Sequence, residues 1–156
     1  MDFYNNSQFT YLDGFQINND SLSQCKLRTL TSHQLYYLSE GEAQFIINDQ
    51  EIILEKHCIY LIPAGSSISY LCKVNVQLFT CSFDAKLYQS LDLFDLIQAP
   101  EYISPKNHLL TEQLFKQLIN NNVDDTFECS AITQLLLCPF LKDAQLKEGA
   151  KALNRL

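Results

Sequence analysis

Three histidines, His33, His57 and His108, and six cysteines, Cys25, Cys58, Cys72, Cys81, Cys129 and Cys138, are the side chains best suited to metal binding or nucleophilic chemistry. Their spacing favours neither. No two cysteines form a Cys-x-x-Cys pair, and the residues before Cys72 (Tyr70-Leu71) and Cys138 (Leu135-Leu136-Leu137) are apolar, the pattern of buried hydrophobic thiols. His33 and His57 fall near strand starts, where polar residues are ordinary, and a metal held by both would need further ligands that no spacing supplies. Asp124-Asp125, and Glu40 with Glu42, read as solvated loop charges, the first pair also as a helix start. No glycine-rich phosphate loop is present. A Ser-His-Asp or Cys-His set cannot be read from order, because its members converge only in space. No metal ligand and no catalytic residue is assigned.

The chain that carries these residues has 156 positions and a formal net charge of −7. That length fits a single hydrophobic core, and the acidity repels a phosphate backbone, which disfavours nucleic-acid binding by this chain alone. No apolar run reaches the roughly 18 to 20 residues that cross a bilayer. The start, Met1-Asp2-Phe3-Tyr4-Asn5-Asn6, lacks a charged-then-apolar leader, so the expected location is the cytoplasm, with no membrane partner. A reducing compartment agrees with reading the cysteines as free thiols.

Two patterns divide the chain. Short segments rich in Ile, Leu, Tyr and Phe, punctuated by Asn, Asp, Gly and Ser, predict strands over 8–18, 24–30, 33–39, 42–48, 50–54, 57–62, 67–72 and 76–83. Ala43, Phe45 and Ile47 alternate with polar neighbours, and Asn48-Asp49-Gln50 reads as a hairpin turn. From Asp84 the period changes. Leu87, Leu91 and Phe94 predict a helix over 84–98 with Asp84 as its cap. Leu110, Leu114 and Leu118, widened by Phe115 and Ile119, predict a second over 107–122. A third is capped by Asp125 or Thr126 and ends at Pro139. A last amphipathic segment, 142–156, carries Leu146, Ala150 and Leu153 and turns basic through Lys142, Lys147, Lys151 and Arg155. Strands first and helices afterwards predict an α+β fold in one structural domain, with an antiparallel barrel over 1–83 and a helical region over 84–156.

Gln34-Leu35-Tyr36-Tyr37-Leu38-Ser39-Glu40-Gly41, then Glu42 to Asn48, then Ile59-Tyr60-Leu61-Ile62-Pro63-Ala64-Gly65, resembles the cupin half of AraC-type transcription regulators. The likeness covers residues 30–85 and, more loosely, the helical tail. The order and spacing are also similar to the N-terminal halves of activators of type III secretion genes. The resemblance implies a cupin-like antiparallel β-barrel, a double-stranded β-helix, followed by C-terminal helices. Gly41 and the Pro63-Ala64-Gly65 turn would then serve to bend the backbone.

Enzymatic cupins resemble one another in a His-x-His and Glu set before the first Gly and a further His beyond the Pro-x-Gly. Here the Glu position holds Gln34, residues 28–31 contain no His, and the last His position holds Ile68. The expectation that follows is a protein that is not an enzyme and carries no cofactor. Inside the barrel, Tyr36, Phe45, Ile47, Tyr60, Ile68 and Tyr70 would either line a ligand cavity or pack it shut. Leu110, Leu114, Phe115, Leu118 and Ile119 would pack on the barrel or bury themselves in a two-fold interface, and the resembled family favours a homodimer. The implied function is effector sensing and dimerisation for a regulator, with either a small-molecule effector or an anti-activator protein as partner. DNA would be contacted only through a C-terminal helix-turn-helix domain missing from these residues. A stand-alone cupin enzyme or small-molecule-binding protein is the alternative.

Overall fold

The computed structural model describes residues 4–19, 23–73, 75–120 and 125–150. The period-two segments form β1 (Ser7–Asn19), β2 (Ser23–Thr29), β3 (His33–Glu40), β4 (Ala43–Ile47), β5 (Gln50–Ile53), β6 (Ile59–Ile62), β7 (Ser67–Cys72) and β8 (Val76–Leu87). Short strands β9 (Leu91–Asp92), β10 (Ile97–Gln98) and β11 (Tyr102–Ile103) follow, then α1 (His108–Asn120), α2 (Thr126–Lys142) and β12 (Gln145–Leu146). Two antiparallel sheets face each other. One runs β2-β7-β4-β5; the other runs β1-β8-β3-β6-β11, with β9 against β8. This is the α+β, cupin-like architecture that the sequence implies, with helices after the strands.

The larger sheet is buried on both faces, so its strands feed two cores by simple alternation. Along β3, Tyr36 and Leu38 point between the sheets, whereas Leu35 and Tyr37 point outward beneath the helices. On β8, Leu78 faces inward and Phe79, Cys81, Phe83, Ala85 and Leu87 face outward. Phe115 and Leu118 of α1, and Ile132, Leu136, Leu137 and Phe140 of α2, close the outer core. Each fully buried side chain of this size contributes ~1.5–3 kcal/mol. The β1–β8 register shifts between Tyr11 and Asp13, a bulge at Leu12 that moves β1 from feeding the outer core through Phe9 to feeding the inner one through Ile17.

The hairpin turn expected at Asn48-Asp49 is a two-residue loop with positive φ at both positions, 49° and 66°, between the paired Ile47 and Gln50. Three expectations are corrected. Residues 84–98 are not a helix: β8 continues through Leu87 because Asp84 to Leu87 pair with β1, and a short 3-10 turn, Leu93–Asp95, sits between β9 and β10. Asp84 pairs with Thr10 rather than capping anything. Pro139 lies inside α2, which ends at Lys142. The segment from 142 is not a continuous amphipathic helix, since Leu146 joins β12 against β10 and, among the described residues after α2 ends at Lys142, 148–150 alone are helical; Leu153 lies outside the described residues.

Gly41 and Gly65 both adopt left-handed backbone, φ 85° and 87°. Their surroundings differ: a Cβ at Gly41 would meet Val76 Cα at 2.7 Å and Asn75 O at 3.0 Å, whereas one at Gly65 would meet nothing within 4 Å. Gly65→Ala is expected to cost about 1 kcal/mol from backbone strain alone, and Gly41→Ala at least about 2 kcal/mol, roughly 4–8 °C in melting temperature. Equal losses in thermal unfolding of the two variants would refute the contact at Gly41.

Candidate functional site

Of the residues expected to line the barrel, Tyr36, Phe45, Ile68 and Tyr70 are buried in the inner core. The Tyr36 ring meets Phe45 edge-on at 5.0 Å, and Phe45 stacks on Tyr70 at 4.8 Å. These four fill the barrel rather than line a void. Around them runs a polar chain: the Tyr36 hydroxyl donates to Gln34 Oε1, and Gln34 Nε2 donates to Ser82 Oγ at 3.3 Å. Thr80 Oγ1 is the one buried side-chain oxygen without a partner among the described residues. Burial pushes the Tyr36 hydroxyl far above its ordinary range and Tyr70 up to about 12, so both phenols stay protonated.

Tyr60 belongs to the same core and Ile47 packs against it, but both also reach outward. They border a cavity of about 510 Å³ between the open edges of the two sheets, with the β4–β5 hairpin on one side and β6 with the Pro63-to-Ser66 turn on another. The third wall is the strap 92–102, which crosses the outside of β6 on its way to α1. That strap carries Pro100, which has no backbone N–H to continue a helix after the 3-10 turn Leu93–Asp95. Its β11 pairs with β6, Tyr102 opposite Tyr60, and the two rings stack at 5.3 Å. Its β10 pairs with β12, while Lys147 Nζ donates to Phe94 O at 2.9 Å and Lys147 N to Leu96 O at 2.9 Å.

His33 fastens the strap at its start. The Ala64 backbone N–H donates to His33 Nδ1 at 2.9 Å, so that nitrogen is an acceptor and the proton sits on Nε2, facing Asp92 Oδ1 at 2.9 Å and Oδ2 at 2.8 Å. Asp92 Oδ1 also accepts from Phe94 N at 2.9 Å and so caps the 3-10 turn. Burial pulls the Asp92 carboxyl up, but the hydrogen bond and charge of His33, helped by Phe94 N and Lys86, outweigh it and hold the group below 3.8. With both nitrogens committed and its ring against Phe83 and Phe94, His33 is a latch rather than a base. Sequence reading missed this pair because Asp92 fell inside the expected helix.

The structure keeps His33 and His57 apart. His57 stacks instead on His108 at the start of α1, ring centroids 4.2 Å apart, and its backbone is left-handed at φ 66°. No cluster of three or more His, Cys, Asp or Glu suited to a metal occurs among the described residues. All six cysteines are free; burial pushes Cys72 up to about 11 and Cys81 up to about 12, so these thiols are inert at neutral pH. The α1 stripe is divided. Phe115 and Leu118 are spent on this chain's own core, which corrects their expected place in a two-fold interface; Leu114 and Ile119 are half-buried against that core, and Leu110 is 49% exposed. The uncovered apolar row lies on α2: Phe127 is 91% exposed, Leu135 59%, with Ala131 between them. No described helix is long and apolar enough to cross a membrane.

No family model matches the sequence, and no curated protein matches it. Solved structures of similar fold include a cupin superfamily protein from Desulfitobacterium hafniense, 18% identical over 49% of this chain and 66% of that one, TM-score 0.38. KdgF from Halomonas sp. is 13% identical over 58% of this chain and 89% of that one, TM-score 0.40. Salicylate 1,2-dioxygenase from Pseudoaminobacter salicylatoxidans is 15% identical over 47% of this chain, TM-score 0.37, and this chain spans only 22% of its length. The likeness is one of fold and assigns no activity here. The expectation of a non-enzyme is corrected as well: enzymes are among the proteins found similar, at 13–15% identity, and a fold by itself decides neither for nor against catalysis.

Because Asp92 titrates below its ordinary value, its stabilisation is fully present above about pH 4 and is lost as the pH falls through the lowered value. Asp92→Asn is expected to cost about 1–2 kcal/mol at pH 7, roughly 3–6 °C in melting temperature. The gap between parent and variant should narrow as the pH falls below about 4 and through that lowered value. A gap of the same size at pH 7 and pH 3 would show that the carboxylate charge does not act through this latch.

Proposed function

We propose that the chain is the sensing and dimerisation domain of an AraC-type transcription regulator, responding to a small-molecule effector in the side cavity. The observation that carries this reading is the strap. One segment walls the cavity, pairs with β6 and β12, and runs directly into α1, so an occupant that moves Tyr102 or Phe94 acts on the helical region without any other intermediary. DNA contact belongs, in this reading, to a helix-turn-helix domain joined to this one in the longer regulator, and two such units are brought to fixed separation by a homodimer.

The second copy docks on the outward row of α2. A chain with net charge −7 is repelled by its own copy wherever acids meet. Phe127, Ala131 and Leu135 present no charge, and the neighbouring Glu128 is bonded to Gln117 Nε2 at 2.6 Å. A helix apolar on both faces calls for cover on the second one. Leu110, at the exposed end of α1, adds to the same helical region.

Sedimentation equilibrium is expected to give a dimer for the parent chain and a monomer for Phe127→Glu with Leu135→Glu, whose far-ultraviolet dichroism and melting temperature stay those of a folded protein. Fusion of the parent to a helix-turn-helix domain that binds paired sites only as a dimer should restore its binding, and the double variant should not. A monomeric parent, or a fusion that fails to bind, would overturn the reading.

A further inference from the structure

We propose that the side cavity takes an organic cation with an apolar body, its charged end held by Glu55 and Glu101 beside the Tyr60–Tyr102 pair. The inference deepens the effector reading and rests on it for the cavity's purpose, but its chemistry stands on the lining alone.

A volume of about 510 Å³ suits a small organic molecule. Four carboxylates border it, Glu55, Asp92, Asp95 and Glu101, against a single lysine and no arginine. That lysine, Lys147, directs its ammonium to the Phe94 carbonyl. Asp92 is likewise committed, to His33 and to Phe94 N. Asp95 and Glu101 make no ion pair among the described residues, and Glu55 receives only the Cys58 thiol at 3.9 Å. An anionic ligand would therefore meet uncompensated negative charge, and a cation would relieve it.

The aromatic pair sits where those acids are. The Tyr60 hydroxyl accepts from Glu55 N at 2.8 Å, and Tyr102 directly follows Glu101 in the chain. Tyr60 is buried beneath Tyr102, which is 49% exposed and offers its free side to a cation. Farther in, Ile47, Ile52 and Ile62 supply an apolar middle. Ser66, 7% exposed, adds a polar side chain to the same lining.

The test uses three probes of one shape class, benzyltrimethylammonium, benzyl alcohol and phenylacetate. The natural chain has no tryptophan, so Tyr102→Trp gives a single reporter at the site. Benzyltrimethylammonium is expected to shift that fluorescence saturably and to raise the parent's melting temperature. Glu101→Gln and Glu55→Gln should each weaken its binding about tenfold while leaving the unliganded melting temperature unchanged. If the alcohol or the carboxylate binds as tightly as the cation, or if neither Gln substitution weakens the cation, the charge assignment fails and the effector reading survives. If no probe moves either signal, the cation site is refuted and the cavity loses its role as an effector site as well.

Discussion

The rest of the molecule hangs on a sheet buried on both of its faces. A strand with one wet face can carry a charge at every second position, but β3 and the middle of β8 cannot: seven of the eight residues of β3 and all of Leu78 to Phe83 are buried. Once the inner face is covered by the smaller sheet, the outer face demands cover of its own. The helices and the strap exist in that position because Phe79, Phe83, Leu87 and Tyr37 would otherwise meet water. The bulge at Leu12 belongs to the same constraint, since it lets one long strand, β1, serve the outer core at one end and the inner core at the other.

The site follows from where that covering stops. The smaller sheet ends at β5 and the larger at the two-residue β11, so the edges do not close on each other. The strap spans the remaining gap, held at its start by Asp92 to His33, in its middle by Lys147, and at its end by the Tyr60–Tyr102 pairing. A wall fastened at points rather than along a full ladder can respond to what lies behind it. The barrel interior, filled by Tyr36, Phe45 and Tyr70, has no such freedom.

Strands were legible in the sequence because alternation with turn residues is a local signal, and the eight long strands agree with their expected positions within a few residues. The error at residues 84–98 has a physical origin. Leu87, Leu91 and Phe94 do fall at helical spacing, but Ala85 and Leu87 also alternate with Asp84 and Lys86, and pairing with β1 decides between two periods that a short window supports equally. Pro139 failed as a stop because a proline near the end of a helix removes a hydrogen bond there, and the packing of Phe140 and Leu141 in the outer core offsets that loss. The barrel-lining residues were found as core residues. The cavity was not, because Asp92, Glu101, Tyr102 and Lys147 come together only through the strap's path across β6.

The chain's acidity acquires a local meaning from this arrangement. Acids spread evenly over a surface favour solubility and little else. Here Glu55, Asp95 and Glu101 gather at the mouth of one cavity, while the outward row of α2 carries none. The acids thus leave the outward row of α2 neutral and concentrate negative potential at the opening between the sheets. Both properties come from how the outer face of one sheet is covered: α2 is apolar on one side to seal it, and the strap, too short to seal the edge, leaves its carboxylates facing the gap.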